Sequence, residues 1–368
     1  MTDLAGLSSE MVVLAHGVGG RTDLPLSAWQ AGWSAAVAMV LSFAALGLLW
    51  HRPRLAVLAD GRPVSGIGVA GRWATTVVRA AVLAVFAVVV TAGIVGADDV
   101  SANLSPVAVY VAFWVAVPIL SALVGPFWRS VGPWDTLARL ASQGRPVGST
   151  PPAAVAGGWL ALVPVGAFLW LELVYHDGAR PRVLGWAGLA YTVAVVAARR
   201  WGTEAARRVE GFGVVIDLLA RLAPVGRRSD GRWGLRAPLV GAAAEPLRPS
   251  EVGLVLLVLG GTGFDGVSRT RFWGDVASGR SGWDATLVGT VGLLWVVVVI
   301  GVAYHLAGRL GDRLTAGDPP ADGGASGGFA VRFGHSLLPI LLGYHVAHYF
   351  SLLVLEGQLF RVLASDPY

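Results

Sequence analysis

The stretch FGHSLLPILLGYHVAHYFSLLVLEGQ, residues 333–358, decides the fold class of this chain. It is long and apolar enough to cross a bilayer, because a helical span needs about 20 mostly apolar residues. Three of the chain's seven histidines, His335, His345 and His348, lie within it, and Glu356 follows near its end. Ionisable groups inside a span are costly and usually face a protein interior or a wet cavity. The segment therefore predicts a membrane protein and also points to its chemistry.

The composition of the whole chain agrees with this interpretation. Of the 368 residues, 55% are hydrophobic and 14% are charged, whereas a soluble domain carries about a quarter charged residues. The pattern predicts an all-α fold, a polytopic transmembrane helix bundle with about eight spans that forms one integral membrane domain over residues 1–368. The eight expected segments are 29–50, 75–96, 104–127, 153–175, 183–198, 251–264, 285–306 and 333–358.

The distribution of arginines predicts the orientation of the bundle. If the N-terminus is outside, the inner loops are 51–74, 128–152, 199–250 and 307–332, and they hold 20 of the 28 basic residues. Loops on the cytoplasmic side of membrane proteins carry an excess of positive charge. We therefore expect both termini to lie outside the cell.

Two segments carry local signals that leave alternatives open. In the inner loop 199–250, the run VEGFGVVIDLLARL (209–222) has apolar residues at helical spacing and predicts an amphipathic helix on the inner membrane surface. A re-entrant segment is the alternative. The sixth span is interrupted by Gly260, Gly261 and Gly263, which indicates either unwound backbone at a binding site or close approach of neighbouring helices.

Residue usage excludes several classes of site. The chain has no cysteine, which excludes disulfides and thiolate metal sites. All 28 basic residues are arginine, a bias typical of GC-rich genomes, so we expect an actinobacterial source and a location in the bacterial plasma membrane. The arginines are scattered over the loops and do not form a basic stripe, so a nucleic-acid partner is not expected.

The final span contains the first candidate site. His345 and His348 are three residues apart and share a helical face, and Glu356 returns to that face. His335 lies roughly 15 Å deeper at 1.5 Å per residue, so it cannot join them. Paired imidazoles with nearby acids suit a divalent metal ion in a helix bundle, and a metal-bound water can act as a nucleophile. The alternative is that these histidines hydrogen-bond between helices.

Other ionisable groups fall at the same depth in the expected topology. Glu172 and Asp265 are candidates for a further metal ligand or a catalytic base. Arg269 and Arg271 could bind an anionic or phosphoryl substrate, or could simply pair with nearby acids. His16, in the outer N-terminal segment, is a further candidate ligand.

The chain resembles the actinobacterial multi-pass membrane proteins labelled fenitrothion hydrolase. The resemblance is carried by AHGVGGRTDLPL (15–26), GPFWRSVGPWDTL (125–137), FDGVSRTRFW (264–273) and the final span from Gly334. By position, it implies roles for these residues: His16, Asp23, Asp265, Arg269, Arg271, His345, His348 and Glu356.

Three functions are compatible with the sequence. The first is an outward-facing, metal-dependent hydrolase of ester or phosphotriester-like apolar substrates, with a divalent ion as cofactor and a small molecule as substrate. The second is a transporter or channel, for example for a metal ion, in which His305 and His335 would extend a polar path inward. The third is a structural subunit of a membrane complex. All three have the lipid bilayer as a partner.

Overall fold

The computed structural model describes residues 28–49, 55–64, 72–141, 150–314 and 328–366. Most of these residues are helical, and the chain is an integral membrane protein by its apolar helices. Six helical stretches are long and apolar enough to cross a membrane: Trp73–Val95, Leu104–Val124, Pro181–Trp201, Pro249–Ser268, Gly282–Leu314 and Phe329–Leu355.

The secondary-structure elements follow one another in this order. The first half of the chain forms α1 (Ala28–Leu49), α2 (Leu55–Ala59), β1 (Arg62–Pro63), α3 (Arg72–Val95), α4 (Leu104–Pro106), a π-helix (Val107–Ala116), α5 (Val117–Val124), α6 (Trp128–Val131), α7 (Pro133–Ala141), α8 (Ala153–Ala156), a 3₁₀ turn (Trp159–Ala161) and α9 (Leu162–Leu173). The second half forms α10 (Pro181–Ala198), α11 (Thr203–Val209), α12 (Gly211–Ala220), β2 (Val225–Arg227), β3 (Trp233–Leu235), α13 (Pro249–Ser268), α14 (Arg271–Ala277), α15 (Gly282–Leu314), α16 (Phe329–Phe333), α17 (Leu337–Leu355) and α18 (Gly357–Leu363), with 3₁₀ turns at Arg199–Trp201, Val240–Ala243 and Gly334–Ser336.

Each of the eight expected spans contains a helix, and within the described residues six helical stretches are both long and apolar enough to cross a membrane. The fifth and sixth, expected to be short, are extended by the residues at their ends. Pro249 at the first helical position and the Glu251 side chain, which accepts from the Arg248 amide, start α13 ahead of its apolar run. The first contains α1, a helix of 22 residues whose described apolar stretch is Gly32–Ala45, and the fourth contains the shorter apolar helix Trp159–Leu173.

The glycines of α13 allow close packing and do not interrupt the helix. The helix continues through all three of them. A Cβ atom on Gly260 would lie 2.8 Å from the Val297 Cα atom of α15, and one on Gly261 would lie 2.9 Å from the Leu169 side chain of α9. The interpretation as small residues that admit neighbouring helices is therefore confirmed, and unwound backbone at this position is wrong.

A three-stranded antiparallel sheet joins two of the arginine-rich loops, which the all-helical prediction did not include. The strand order is β1–β3–β2, with Arg62 opposite Leu235 and Val225 opposite the same residue. The Asp60 carboxylate accepts a hydrogen bond from the Ser229 amide at 2.7 Å, which holds the pKa of that carboxyl below its ordinary value. This contact ties the turn before β1 to the turn between β2 and β3.

Other arginine-rich segments lie on the same side of the bundle as this sheet. Gly125, at the end of α5, lies against the backbone of Val225, and Gly334 lies against Leu247 and Val252. The Ser250 hydroxyl donates to the Gly157 carbonyl at 2.6 Å, which places the start of α9 there as well. We call this the sheet side. The helices α9, α13 and α17 all begin on it and run in parallel toward the opposite side.

The segment expected to lie on the membrane surface is instead inside the bundle. In α12, nine of the ten residues are buried, and only Asp217 is partly exposed. The helix packs against α5, α9 and α17, and its Phe212 ring contacts those of Phe113 and Phe168. The prediction of a surface helix is wrong. The acids that indicated a water-exposed face, Glu210 and Asp217, instead pair with Arg129 inside the bundle.

The outer faces of the long helices are apolar and exposed. On α15, Leu287, Val291 and Val298 have exposed fractions of 63%, 69% and 58%. A continuous apolar surface of this kind is not expected in water. It is the surface that lipid tails cover in a bilayer.

Candidate functional site

Three parallel helices bring acidic and imidazole groups together far from the sheet side. Glu172 lies near the end of α9, Asp265 near the end of α13 and His348 in the second half of α17. Glu172 and Asp265 are buried, the latter with an exposed fraction of 1%, and the His348 side chain is mostly buried. The tight packing of α13 against α9 at Gly261 brings the helices that carry the two carboxyl groups together.

Asp265 is the centre of the group. Its Oδ2 atom is in direct contact with the Nε2 atom of His348. Its Oδ1 atom lies 3.6 Å from the Nε atom of Arg269, one helical turn further along α13. The Arg269 side chain is 30% exposed while the Asp265 side chain is fully buried. The buried carboxylate therefore has an imidazole on the interior side and a guanidinium at the rim.

Glu172 joins the group through Tyr349. The Tyr349 hydroxyl lies 3.4 Å from Glu172 Oε1 and accepts from the Trp114 indole N–H, also at 3.4 Å. Glu172 and Asp265 are near enough to interact electrostatically. The second carboxyl oxygen of Glu172, Oε2, is buried and has no hydrogen-bond partner among the described residues. An apolar environment makes such an atom costly, so it marks a place where a proton or a cation would be stabilised.

His345 does not point to the same place as His348. Its Nε2 atom donates to the Trp114 carbonyl at 3.1 Å, and its ring contacts those of Trp114 and Tyr349. Trp114 lies in the π-helix Val107–Ala116, which packs against α17. For His345 the structure therefore favours the inter-helix hydrogen bond that the sequence left open as the alternative.

The remaining predicted site residues are not brought into this group. Arg271 is exposed at the first position of α14. Glu356 ends α17, about 12 Å along the axis from His348 at 1.5 Å per residue. His16 and Asp23 lie outside the described residues. Within the described residues, no group of three or more His, Asp or Glu side chains has the arrangement for a metal ion, so the metal site stays a prediction.

A second buried ionic group, which the sequence did not single out as a site, lies nearer the sheet side. Arg129, in the short helix α6, is 3.0 Å from Glu210 Oε2 and contacts Asp217 directly. The other Glu210 oxygen accepts from the Gly213 amide at 2.8 Å and caps α12. Charged residues inside the apolar run 209–222 were the available signal. Their partner could not be predicted, because Arg129 is 81 residues away in sequence.

The helices and the two buried ionic groups define the class: a multi-pass integral membrane protein with ionisable groups in its interior. Comparison with protein-family models, with curated proteins and with solved structures finds no match. The function must therefore be argued from the residues themselves.

Proposed function

We propose that the protein is a membrane transport protein that binds protons at Glu172, Asp265 and His348. The observation that carries this is the burial of two carboxyl groups beside an imidazole in the apolar interior. Ionisable groups in such positions are rare and mark proton relays and ion pathways. Burial favours states of low net charge, so the group takes up a proton when no other cation is present and releases it when one arrives.

The hydrogen bonds around the group suit proton exchange. His348 contacts Asp265, and Tyr349 links Glu172 to the Trp114 indole. The partly exposed Arg269 at the rim balances one negative charge. A proton can enter through the partly exposed His348 imidazole and be shared by the two carboxyl groups. His348 is the partner of Asp265, and the Tyr349 hydroxyl is the partner of Glu172.

The second ionic group favours transport over a site open to one side only. Four aromatic residues lie between the two groups: Trp114 contacts Tyr349, Trp114 and Phe168 have ring centroids 4.9 Å apart, and Phe168 and Phe212 are separated by 5.3 Å. Phe212 is two residues from Glu210, in the second group. Ionisable groups at two depths of the interior are typical of a path across the membrane. His305 and His335, the candidates for an inward extension of a path, bond through Nδ1 to carbonyls of their own segments.

Proton flux into vesicles tests the proposal. The purified protein is reconstituted with a pH-sensitive dye inside, and uptake is driven by a potassium diffusion potential, with and without added mono- and divalent cations. We expect Asp265→Asn and Glu172→Gln to lower uptake to the level of protein-free vesicles. Asp284→Asn, an exposed acid on α15 with an exposed fraction of 68%, is the matched control. If wild-type uptake equals that of protein-free vesicles under every condition, the protein is not a proton-coupled transporter.

A metal-dependent hydrolase is the second candidate, and the position of Arg269 favours it. This guanidinium lies at the rim beside Asp265 and His348, where it could bind a phosphoryl oxygen. The described side chains do not have the arrangement for a metal ion, so no step through a metal is derived. The test is metal content and phosphotriester cleavage of the wild type, His348→Ala and His345→Ala. A hydrolase of this kind loses both with His348→Ala, and equal rates in all three proteins exclude it.

A further inference from the structure

Five arginines surround a polar pocket on the sheet side, at the ends of α11 and α12. The pocket has a volume of about 260 Å³, which is room for several waters at about 30 Å³ each. Its charged lining consists of Arg129, Arg207, Arg208, Arg221, Arg248, Glu204, Asp217 and Glu251. Glu210 and Asp135 lie behind the lining and pair with Arg129 and Arg207, so those two arginines are neutralised. Arg208, Arg221 and Arg248 share two carboxylates, Glu204 and Glu251, which leaves one positive charge at this part of the pocket for a bound anion.

Ion pairs hold the guanidinium groups in place without using all of their donors. Arg208 donates to the Ala156 carbonyl at 2.6 Å. Arg221 and Arg248 share the Glu251 carboxylate, at 3.7 Å and 2.8 Å. A guanidinium has five N–H donors in a planar fork, so an arginine fixed by one carboxylate can still bind a phosphate with its other edge.

A large apolar cavity lies beside this pocket. It has a volume of about 930 Å³, is lined by α3, the π-helix, α9 and α10, and is open on one side, where lining residues such as Ala190 are exposed. Its walls are almost entirely aliphatic and aromatic, and Trp128, Trp134 and Phe212 form part of them. A site of this size and composition takes a hydrophobic ligand. Because its walls are membrane helices, lipid tails can reach it from the bilayer.

The same two short segments contribute to both sites. Trp128 lines the apolar cavity and Arg129 the polar pocket, while Val209 lines the cavity and Arg208 the pocket. An amphiphile can therefore reach both with its two ends. The arginine-rich loops lie on this side, where the sequence predicts the cytoplasm, and anionic lipids attract basic segments on that surface. We propose that one anionic phospholipid binds here, with its phosphate in the arginine pocket and an acyl chain in the apolar cavity.

Lipid binding to the purified, delipidated protein tests this by native mass spectrometry. The probes are phosphatidylglycerol, phosphatidylcholine and inorganic phosphate. We expect one tightly held phosphatidylglycerol per chain and weaker binding of phosphatidylcholine. The double variant Arg208→Gln/Arg221→Gln should weaken phosphatidylglycerol binding by about tenfold or more, as the loss of charge-assisted hydrogen bonds requires. The matched control is Arg232→Gln/Arg280→Gln, which removes the same charge from two exposed sites.

A second pair of variants tests whether the apolar cavity holds the acyl chain. Ala190→Trp fills the cavity, which Ala190 lines, and should release the lipid. Ala303→Trp places the same ring on the exposed face of α15 and should not. Equal binding of the two phospholipids, or no effect of the arginine variants, overturns the headgroup assignment. Competition by inorganic phosphate alone would identify a phosphate site and reject the lipid, and unchanged binding in Ala190→Trp rejects the apolar cavity as the acyl site.

Discussion

Asp265 holds the candidate site together at the scale of single residues. It contacts His348 on α17 and Arg269 on its own helix, and its side chain is fully buried. Each of these partners has some exposure, whereas the carboxylate has none. Removing the carboxylate would leave two cationic or hydrogen-bonding groups facing an apolar space, while removing either partner leaves the other in place.

We predict that Asp265→Ala destabilises the protein by about 1–3 kcal/mol, the cost of leaving the mostly buried partner His348 without its hydrogen-bonding group. The measurement is the free energy of unfolding in detergent. Asp284→Ala is the control, because Asp284 forms an exposed pair with Arg280 and such pairs contribute at most about 1 kcal/mol. Equal losses of unfolding free energy in the two variants would show that the Asp265 contacts contribute no more to stability than an exposed ion pair does.

The histidines show how far residue spacing can predict a site. The spacing of His345 and His348 predicts a shared helical face, and in the structure one imidazole is buried and the other mostly so. It could not predict that the Tyr349 ring contacts both imidazoles, nor that His345 bonds to the Trp114 carbonyl. That partner lies on another span, 231 residues away in sequence, and spacing within one helix does not reveal it.

Helix packing at α13 accounts for the geometry of the site at the scale of elements. Gly260 and Gly261 face α15 and α9 respectively, so one helix is held close to two neighbours. The sequence reveals the glycines and the apolar period, and from these the helix and its close packing could be predicted. The sequence does not reveal the burial of α12, because the partner of its acids Glu210 and Asp217 is Arg129, which lies in α6.

We predict that Gly260→Ala destabilises the bundle by about 1–3 kcal/mol, the usual cost of an added methyl group in a packed core. The new Cβ atom would lie 2.8 Å from the Val297 Cα atom, so α13 and α15 must separate. Gly301→Ala is the matched control on α15, because nothing lies within 4 Å of its Cβ position, and it should gain about 0.5–1 kcal/mol from helix propensity. Thermal unfolding of both variants checks this, and equal stability of the two would contradict the packing argument.

The whole molecule separates its polar groups by depth. The sheet and the arginine-rich segments are on one side, the Arg129–Glu210 pair lies nearer to that side, and the Asp265 group lies toward the other. The aromatic rings between the two groups keep them apart. In the two proposals together, the proton path runs between the Asp265 group and the Arg129 group, and the lipid phosphate binds beside Arg129 and Asp217, at the far end of that path from Asp265.

The absence of cysteine from the chain allows the orientation of the molecule to be tested directly. We introduce one cysteine at Ser278, exposed after α14, or at Ser229, exposed between β2 and β3 on the sheet side. The arginine bias predicts that a membrane-impermeant maleimide labels Ser278→Cys in intact cells, and labels Ser229→Cys only after the membrane is opened. Labelling of both after permeabilisation is the control for reactivity. The reverse pattern would place Asp265 and Glu172 in the cytoplasmic half, and an outward-facing site would then be excluded.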